Sequence, residues 1–184
     1  MVNLRKTFFF LSFFLILSFS NGNTSEYSTG VGKDYPMKLL WGDTHLHSNQ
    51  SADAYTIGNS NLTPSDAFRF ARGEEVVSEI GVKAKLRVPL DFLMVSDHAT
   101  YLGIFKRIEN RDPKILKTSL GKRWRKYMDN NDSRLFTEFV DGLNGNQEQS
   151  FEKSDYIPIW KDITENVDKF NEPGVFTALI GYEW

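Results

Sequence analysis

Three short apolar runs set far apart along the chain, each closing on polar side chains able to bind metal, constrain its fold more than any other feature. "MKLLWGD" (Met37 to Asp43) leads to His45 and His47. "VPLDFLMVSDH" carries Leu90, Phe92, Leu93, Met94 and Val95 into Ser96, Asp97 and His98, and "GVFTALIGYEW" carries Val175, Phe176, Ala178, Leu179 and Ile180 into Gly181, Tyr182 and Glu183. Apolar runs of this length read as buried strands. In α/β folds, residues at the carboxyl ends of neighbouring parallel strands converge on one site. The predicted class is therefore α/β, with all three histidines of the chain at positions able to meet.

The remaining segments fit that reading. "NLTPSDAFRFARG" places Thr63 as an N-cap, Pro64 at the first helical position and Gly73 as a stop, which marks both ends of a helix. Between the second and third runs, "DPKILKTSLGKRWRKYMDN", "SRLFTEFVDGL" and "SDYIPIWKDITENVDKF" have helical character. A strand-to-strand crossover needs far less chain, so a helical insertion over about 102–173 is expected, as a lid or side layer. Lys122, Arg123, Arg125 and Lys126 read as a solvated helix face because acids flank them, and "NGNQEQS" (Asn144 to Ser150) reads as a polar loop.

The amino terminus reads as a secretory signal. Arg5 and Lys6 precede the apolar "TFFFLSFFLILSFS" (Thr7 to Ser20), which ends on small residues and is too short for a span of about 20 apolar residues. Residues 1–20 are the expected signal peptide and 21–36 a flexible polar leader, so an exported protein, periplasmic or secreted, with no membrane span after cleavage is expected. Cleavage would remove Arg5 and Lys6 and no acid, leaving 20 basic against 24 acidic residues. That mildly acidic balance argues against a nucleic-acid or anionic-membrane partner. With no cysteine, neither a disulfide nor a thiolate ligand is available, and any metal site must use His, Asp and Glu.

His45 and His47 stand two residues apart, so in an extended segment both imidazoles point the same way and can meet one cation. Alone, the pattern is weak and more often means polar surface or a hydrogen-bonded core histidine than a ligand. His98, at the end of another run, strengthens the metal reading. Asp43 and Asp97 stand where they either bind metal or orient an imidazole through its second N–H. Glu183 is placed to supply a bridging carboxylate, although by itself it reads as an exposed acid near a terminus.

These stretches also carry a family resemblance. "DTHLHS", "DFLMVSDHATYLG" and "ALIGYEW", in that order, resemble the first three motifs of the PHP (polymerase and histidinol phosphatase) superfamily of metal-dependent phosphoesterases. "SADAYTIGNSNLTPSDAFRFARGEEV" with "KLRVPLDFLMVSDHATYLG" is similar to an uncharacterised, often exported bacterial PHP-like family, and the resemblance runs from about Lys38 to Trp184. It implies the amino-terminal portion of a distorted β/α barrel, here residues 37–184, holding two or three divalent ions (Zn, Mn or Fe) at the strand ends. The implied ligands are His45, His47, Asp53 (where the superfamily often has a further histidine), His98 and Glu183. Three histidines with two carboxylates suit those metals better than copper or calcium. The implied reaction is hydrolysis of a small-molecule phosphate ester by metal-activated water, with Glu183 or Asp97 handling protons and the leaving-group acid unassigned. PHP sites are completed by later histidines and an Asp/His pair, so a truncated chain, inactive alone, is expected. Two alternatives remain open: an amidohydrolase-type metal-dependent hydrolase, which also begins with H-x-H, and a non-catalytic exported domain that keeps a partial metal site.

Overall fold

The structure, a computed structural model, describes residues 38–145 and 151–184. The expected signal peptide, the leader and most of the loop at Asn144 to Ser150 lie outside the described residues. By its internal contacts the chain divides into Met1–Lys38 and Leu39–Trp184, and the second unit carries the strands and helices that follow.

Its elements follow the predicted alternation. Strand β1 (Gly42–Leu46) is followed by α1 (Ala52–Ile57) and α2 (Pro64–Ala71), then by a short antiparallel hairpin, β2 (Val76–Val77) and β3 (Lys83–Ala84). Strand β4 (Phe92–Val95) leads into α3 (Ile104–Glu109), a 3-10 turn at Ile115–Lys117, α4 (Ser119–Asp129), α5 (Arg134–Leu143) and α6 (Lys153–Phe170). Strand β5 (Thr177–Leu179) comes last. The marked helix forms as its ends require. The Thr63 side chain accepts from the Asp66 N–H, the Asp66 carboxylate reciprocates at the Thr63 N–H, Pro64 opens the helix and Gly73 follows its end with φ +86°.

β1, β4 and β5 form one sheet in the order β1-β4-β5, parallel throughout, with Asp43 opposite Leu93 and Leu93 opposite Ala178. The described sheet is this open set of three strands rather than a closed barrel. The strand does not coincide with the apolar run. The first strand is Gly42–Leu46, later than the apolar run at Met37 to Asp43, because the ladder begins where Gly42 pairs with Phe92; Leu39, Leu40 and Trp41 stay exposed. His45 is thereby inside the strand, and only His47 lies past its end.

Two larger apolar cores and a smaller cluster of Leu102, Ile159 and Ile163 divide the work. Phe68 and Ala71 of α2 and Val167 of α6 pack with Leu93, Val95 and Ala178 of the sheet and with Phe176 just before β5, and Phe68 stacks on Phe170 at 5.4 Å between ring centroids. The helical insertion builds a core of its own around Trp124, which is fully buried; Phe105 stacks on it at 4.9 Å and Tyr101 meets it edge-on at 5.0 Å. The insertion is thus largely a side layer, joined to the rest through α1, whose Tyr55 stacks on Phe105 at 5.6 Å, and through α6 on the sheet. Among the described residues, no helix is long and apolar enough to cross a membrane.

Candidate metal centre

Four separate stretches deliver the expected ligands to the carboxyl edge of the sheet. His45 and His47 come from β1 and the residue beyond it. His98 comes from the segment after β4 and Glu183 from the segment after β5, where an isolated parallel bridge pairs His98 with Glu183. Two backbone bonds fix that pairing: Ala99 N–H donates to the Glu183 carbonyl at 2.8 Å, and Glu183 N–H donates to the Asp97 carbonyl at 3.1 Å. Asp53 sits in the first turn of α1. The parallel register therefore does what the spacing of the runs predicts, carrying residues as much as 138 positions apart to one place.

Glu183 Oε2 faces all three imidazoles, at 3.2 Å from His45 Nε2, 2.8 Å from His47 Nε2 and 3.4 Å from His98 Nδ1. Asp53 Oδ2 faces two, at 2.9 Å from His47 Nδ1 and 3.5 Å from His98 Nε2. The rings of His45 and His47 are 5.2 Å apart and those of His47 and His98 4.7 Å. Two overlapping trios result, His45–His47–Glu183 and His47–Asp53–His98, each with one ligand atom per residue and all three atoms within 4.8 Å of one another. The centre is graded in exposure. His47 has 16% of its side chain exposed against 67% for His45, so His45 marks the solvent side.

Both carboxylates are held ionised. Partial desolvation pushes Glu183 up, but the His45 hydrogen bond and electrostatic attraction to the neighbouring histidines outweigh it and hold the group below the usual glutamate range. Desolvation likewise raises Asp53, and hydrogen bonds from Ser51, His47 and the Ala54 N–H more than offset it.

The remaining aspartates are occupied elsewhere. Asp43 accepts the backbone N–H of His45 at 2.8 Å. Asp97, expected to share in proton handling, is buried and gives both oxygens to Ser48, accepting its N–H at 2.5 Å and its hydroxyl at 2.7 Å. Burial pushes the Asp97 carboxyl above its ordinary range, with the Ser48 hydrogen bonds opposing that rise. Sequence reasoning passed over Ser48 and Ser51. The Ser51 hydroxyl, fully buried, donates to Asp53 Oδ1 at 2.5 Å and accepts the His98 N–H at 3.1 Å. The one sequence signal was their place in "HSNQSAD", small hydroxyl residues between a histidine and an aspartate.

The donor set fits divalent cations. Metal–ligand distances of about 2.0–2.2 Å for His and carboxylate imply donor atoms roughly 3.3–3.6 Å apart around a tetrahedral ion, and the carboxylate–imidazole separations of 2.8–3.5 Å approach this. His47 Nε2 adds a second sign. It is buried and makes no hydrogen bond, although Glu183 Oε2 lies 2.8 Å away, so the contact is close in distance but wrong in direction for one. A buried polar atom left in this way calls for a partner.

No curated protein and no solved structure matches the chain. A family model described as "Protein of unknown function (DUF3604)" matches residues 34–184, a span that takes in all three strands of the parallel sheet and all five members of the cluster. On that match, the chain belongs to the DUF3604 family.

Proposed function

We propose that this centre holds two or three divalent ions (Zn, Mn or Fe) and that the protein is a metal-dependent hydrolase acting on small phosphate esters. The resemblance to the PHP superfamily supports the reaction class, and a PHP-type β/α barrel is the corresponding fold proposal. The observation that carries the metal reading is the convergence of His45, His47, Asp53, His98 and Glu183, with His47 Nε2 buried and without a hydrogen bond.

When bound, divalent ions supply Lewis acidity, which acidifies water and takes up charge on phosphoryl oxygens. The chain's own residues have distinct parts around them. Glu183 Oε2, reached by all three imidazoles, is the carboxylate able to serve both trios. Asp53 Oδ2 closes the inner trio with His47 and His98. His47 is the buried member common to both trios, and the exposed His45 leaves the centre open on the side from which an ester reaches it. Asp97, with both oxygens given to Ser48, secures the turn after His47. Because Glu183 is a ligand in this reading, it is a poor general base, and the acid for the leaving group is unassigned. On the signal-like residues 1–20 we also propose export.

The test is metal content by plasma mass spectrometry of the purified wild type beside the His45→Ala/His98→Ala double variant, followed by a phosphomonoester and phosphodiester assay. Near-stoichiometric Zn, Mn or Fe in the wild type, lost in the variant, is expected. A folded wild type with no more metal than the variant sinks the reading.

A further inference from the structure

We infer that Ser51 is a positioning residue of the centre, aiming the Asp53 carboxylate at His47 and His98; the inference rests on the metal-centre reading above. Ser51 occupies the N-cap of α1, with φ −80° and ψ 131°, where a serine ordinarily turns its hydroxyl back onto an N–H of the first turn. It makes no such bond. The hydroxyl points instead at the metal-capable residues, donating to Asp53 Oδ1 at 2.5 Å, accepting the His98 N–H at 3.1 Å and lying 3.4 Å from His47 Nδ1. A hydroxyl has one proton to donate and two lone pairs. The proton is committed to Asp53 and one lone pair to His98, and the residue is fully buried, so water does not compete.

The consequence falls on the Asp53 carboxylate. Its terminal torsion is intrinsically broad and roughly two-fold, so packing of the Cα–Cβ bond does not decide which way the oxygens face. Hydrogen bonds do. Ser51 and the Ala54 N–H, at 2.6 Å, both hold Oδ1, which leaves Oδ2 turned toward His47 Nδ1 at 2.9 Å and His98 Nε2 at 3.5 Å. The same hydroxyl accepts the His98 N–H, so the Asp53 carboxylate and the His98 backbone share one anchor. Groups that orient metal ligands in this manner typically change affinity about 10–100-fold when removed.

The test is a Co²⁺ titration, followed by visible absorption, of the full chain as wild type, Ser51→Ala, Asp53→Ala and the double variant. Because Ser51 makes no cap bond, Ser51→Ala withdraws no hydrogen bond from the α1 N-terminus. Affinity about 10–100-fold weaker with an altered absorption envelope is expected for Ser51→Ala. Since Ser51 acts chiefly through Asp53, removing it should cost far less affinity in Asp53→Ala than in the wild type, any remainder reading the bond to the His98 N–H, an interaction that a purely structural serine would not give. Ser51→Thr, which keeps the hydroxyl, should titrate as the wild type and decides the matter should Ser51→Ala not fold. Wild-type titration of Ser51→Ala, loss of affinity in Ser51→Thr, or full additivity with Asp53→Ala overturns the positioning role and leaves the metal centre standing. A wild type that takes up no Co²⁺ overturns the centre and the role together.

Discussion

Asp97 stands next to His98 in sequence yet works for His47's neighbour. Both of its oxygens are bonded to Ser48, whose backbone N–H and hydroxyl are buried with it. In Asp97→Ala those two donors lose their acceptor inside the protein, and an unsatisfied buried donor costs about 1–3 kcal/mol. We expect Asp97→Ala to unfold about 2–4 kcal/mol more readily, read from the shift in urea midpoint at constant slope. An unchanged midpoint would remove Asp97 from this clamp. His45 and His47 were legible because an i, i+2 pair depends only on local geometry. Asp97 was legible by position at a strand end, but its partner was not, since the bond joins residues 49 positions apart and serine is common in polar loops. Ser51 was hidden for a different reason: a serine ahead of a short helix reads as a cap, and only the fold turns its hydroxyl to Asp53.

At the scale of elements, what matters is the registration of β1 on β4, because it sets His45 and His47 beside His98. Gly42 is where that registration is tightest. A Cβ placed there would stand 2.3 Å from a ring carbon of Phe92 and 2.4 Å from the Phe92 carbonyl oxygen, and the latter belongs to the pairing strand itself. Side-chain rotation relieves the first clash and not the second. Gly42→Ala should therefore cost about 1–3 kcal/mol, the usual range for overpacking, and also weaken metal uptake, since the two strands carry different ligands. Chemical denaturation and a metal titration on the same variant check both halves; normal uptake with reduced stability would mean that the strand ends tolerate a shift. The sequence made some elements plain. α2 was legible from Thr63, Pro64 and Gly73, since caps are local chemistry. The start of β1 was not, because Leu39, Leu40 and Trp41 continue the apolar pattern without joining the ladder. The hairpin of β2 and β3, two residues a side, carries too little periodicity to read.

Across the whole unit, the centre is where chain segments distant in sequence are fastened together. The helical layer has its own aromatic core around Trp124, and α2 and α6 cover the sheet with another. Helical character in the insertion was legible, whereas the mutual packing of Tyr101, Phe105, Trp124, Phe139 and Phe151 was not, because it depends on how separate helices meet. The strand ends are held less fully: Glu183 and His98 are joined by an isolated bridge rather than a long ladder, and the Glu183 side chain is one-third exposed. Cations gripping the His45–His47–Glu183 and His47–Asp53–His98 trios would cross-link β1 with α1 and the segments after β4 and β5, and they have no such preassembled site in the unfolded chain. Linkage then requires the fold to gain stability with metal, about 2.7 kcal/mol at a free concentration of 100 times Kd. For a chain of this size, each kcal/mol shifts Tm by about 2–4 °C, so saturating Zn²⁺ or Mn²⁺ should raise Tm by roughly 5–10 °C, reversibly with EDTA. The His45→Ala/His98→Ala variant should melt at the same temperature with and without metal. Scanning calorimetry of both proteins decides it: equal metal-induced shifts in the two would mean that the ion binds elsewhere, whereas a shift confined to the wild type ties the stability of the fold to these ligands.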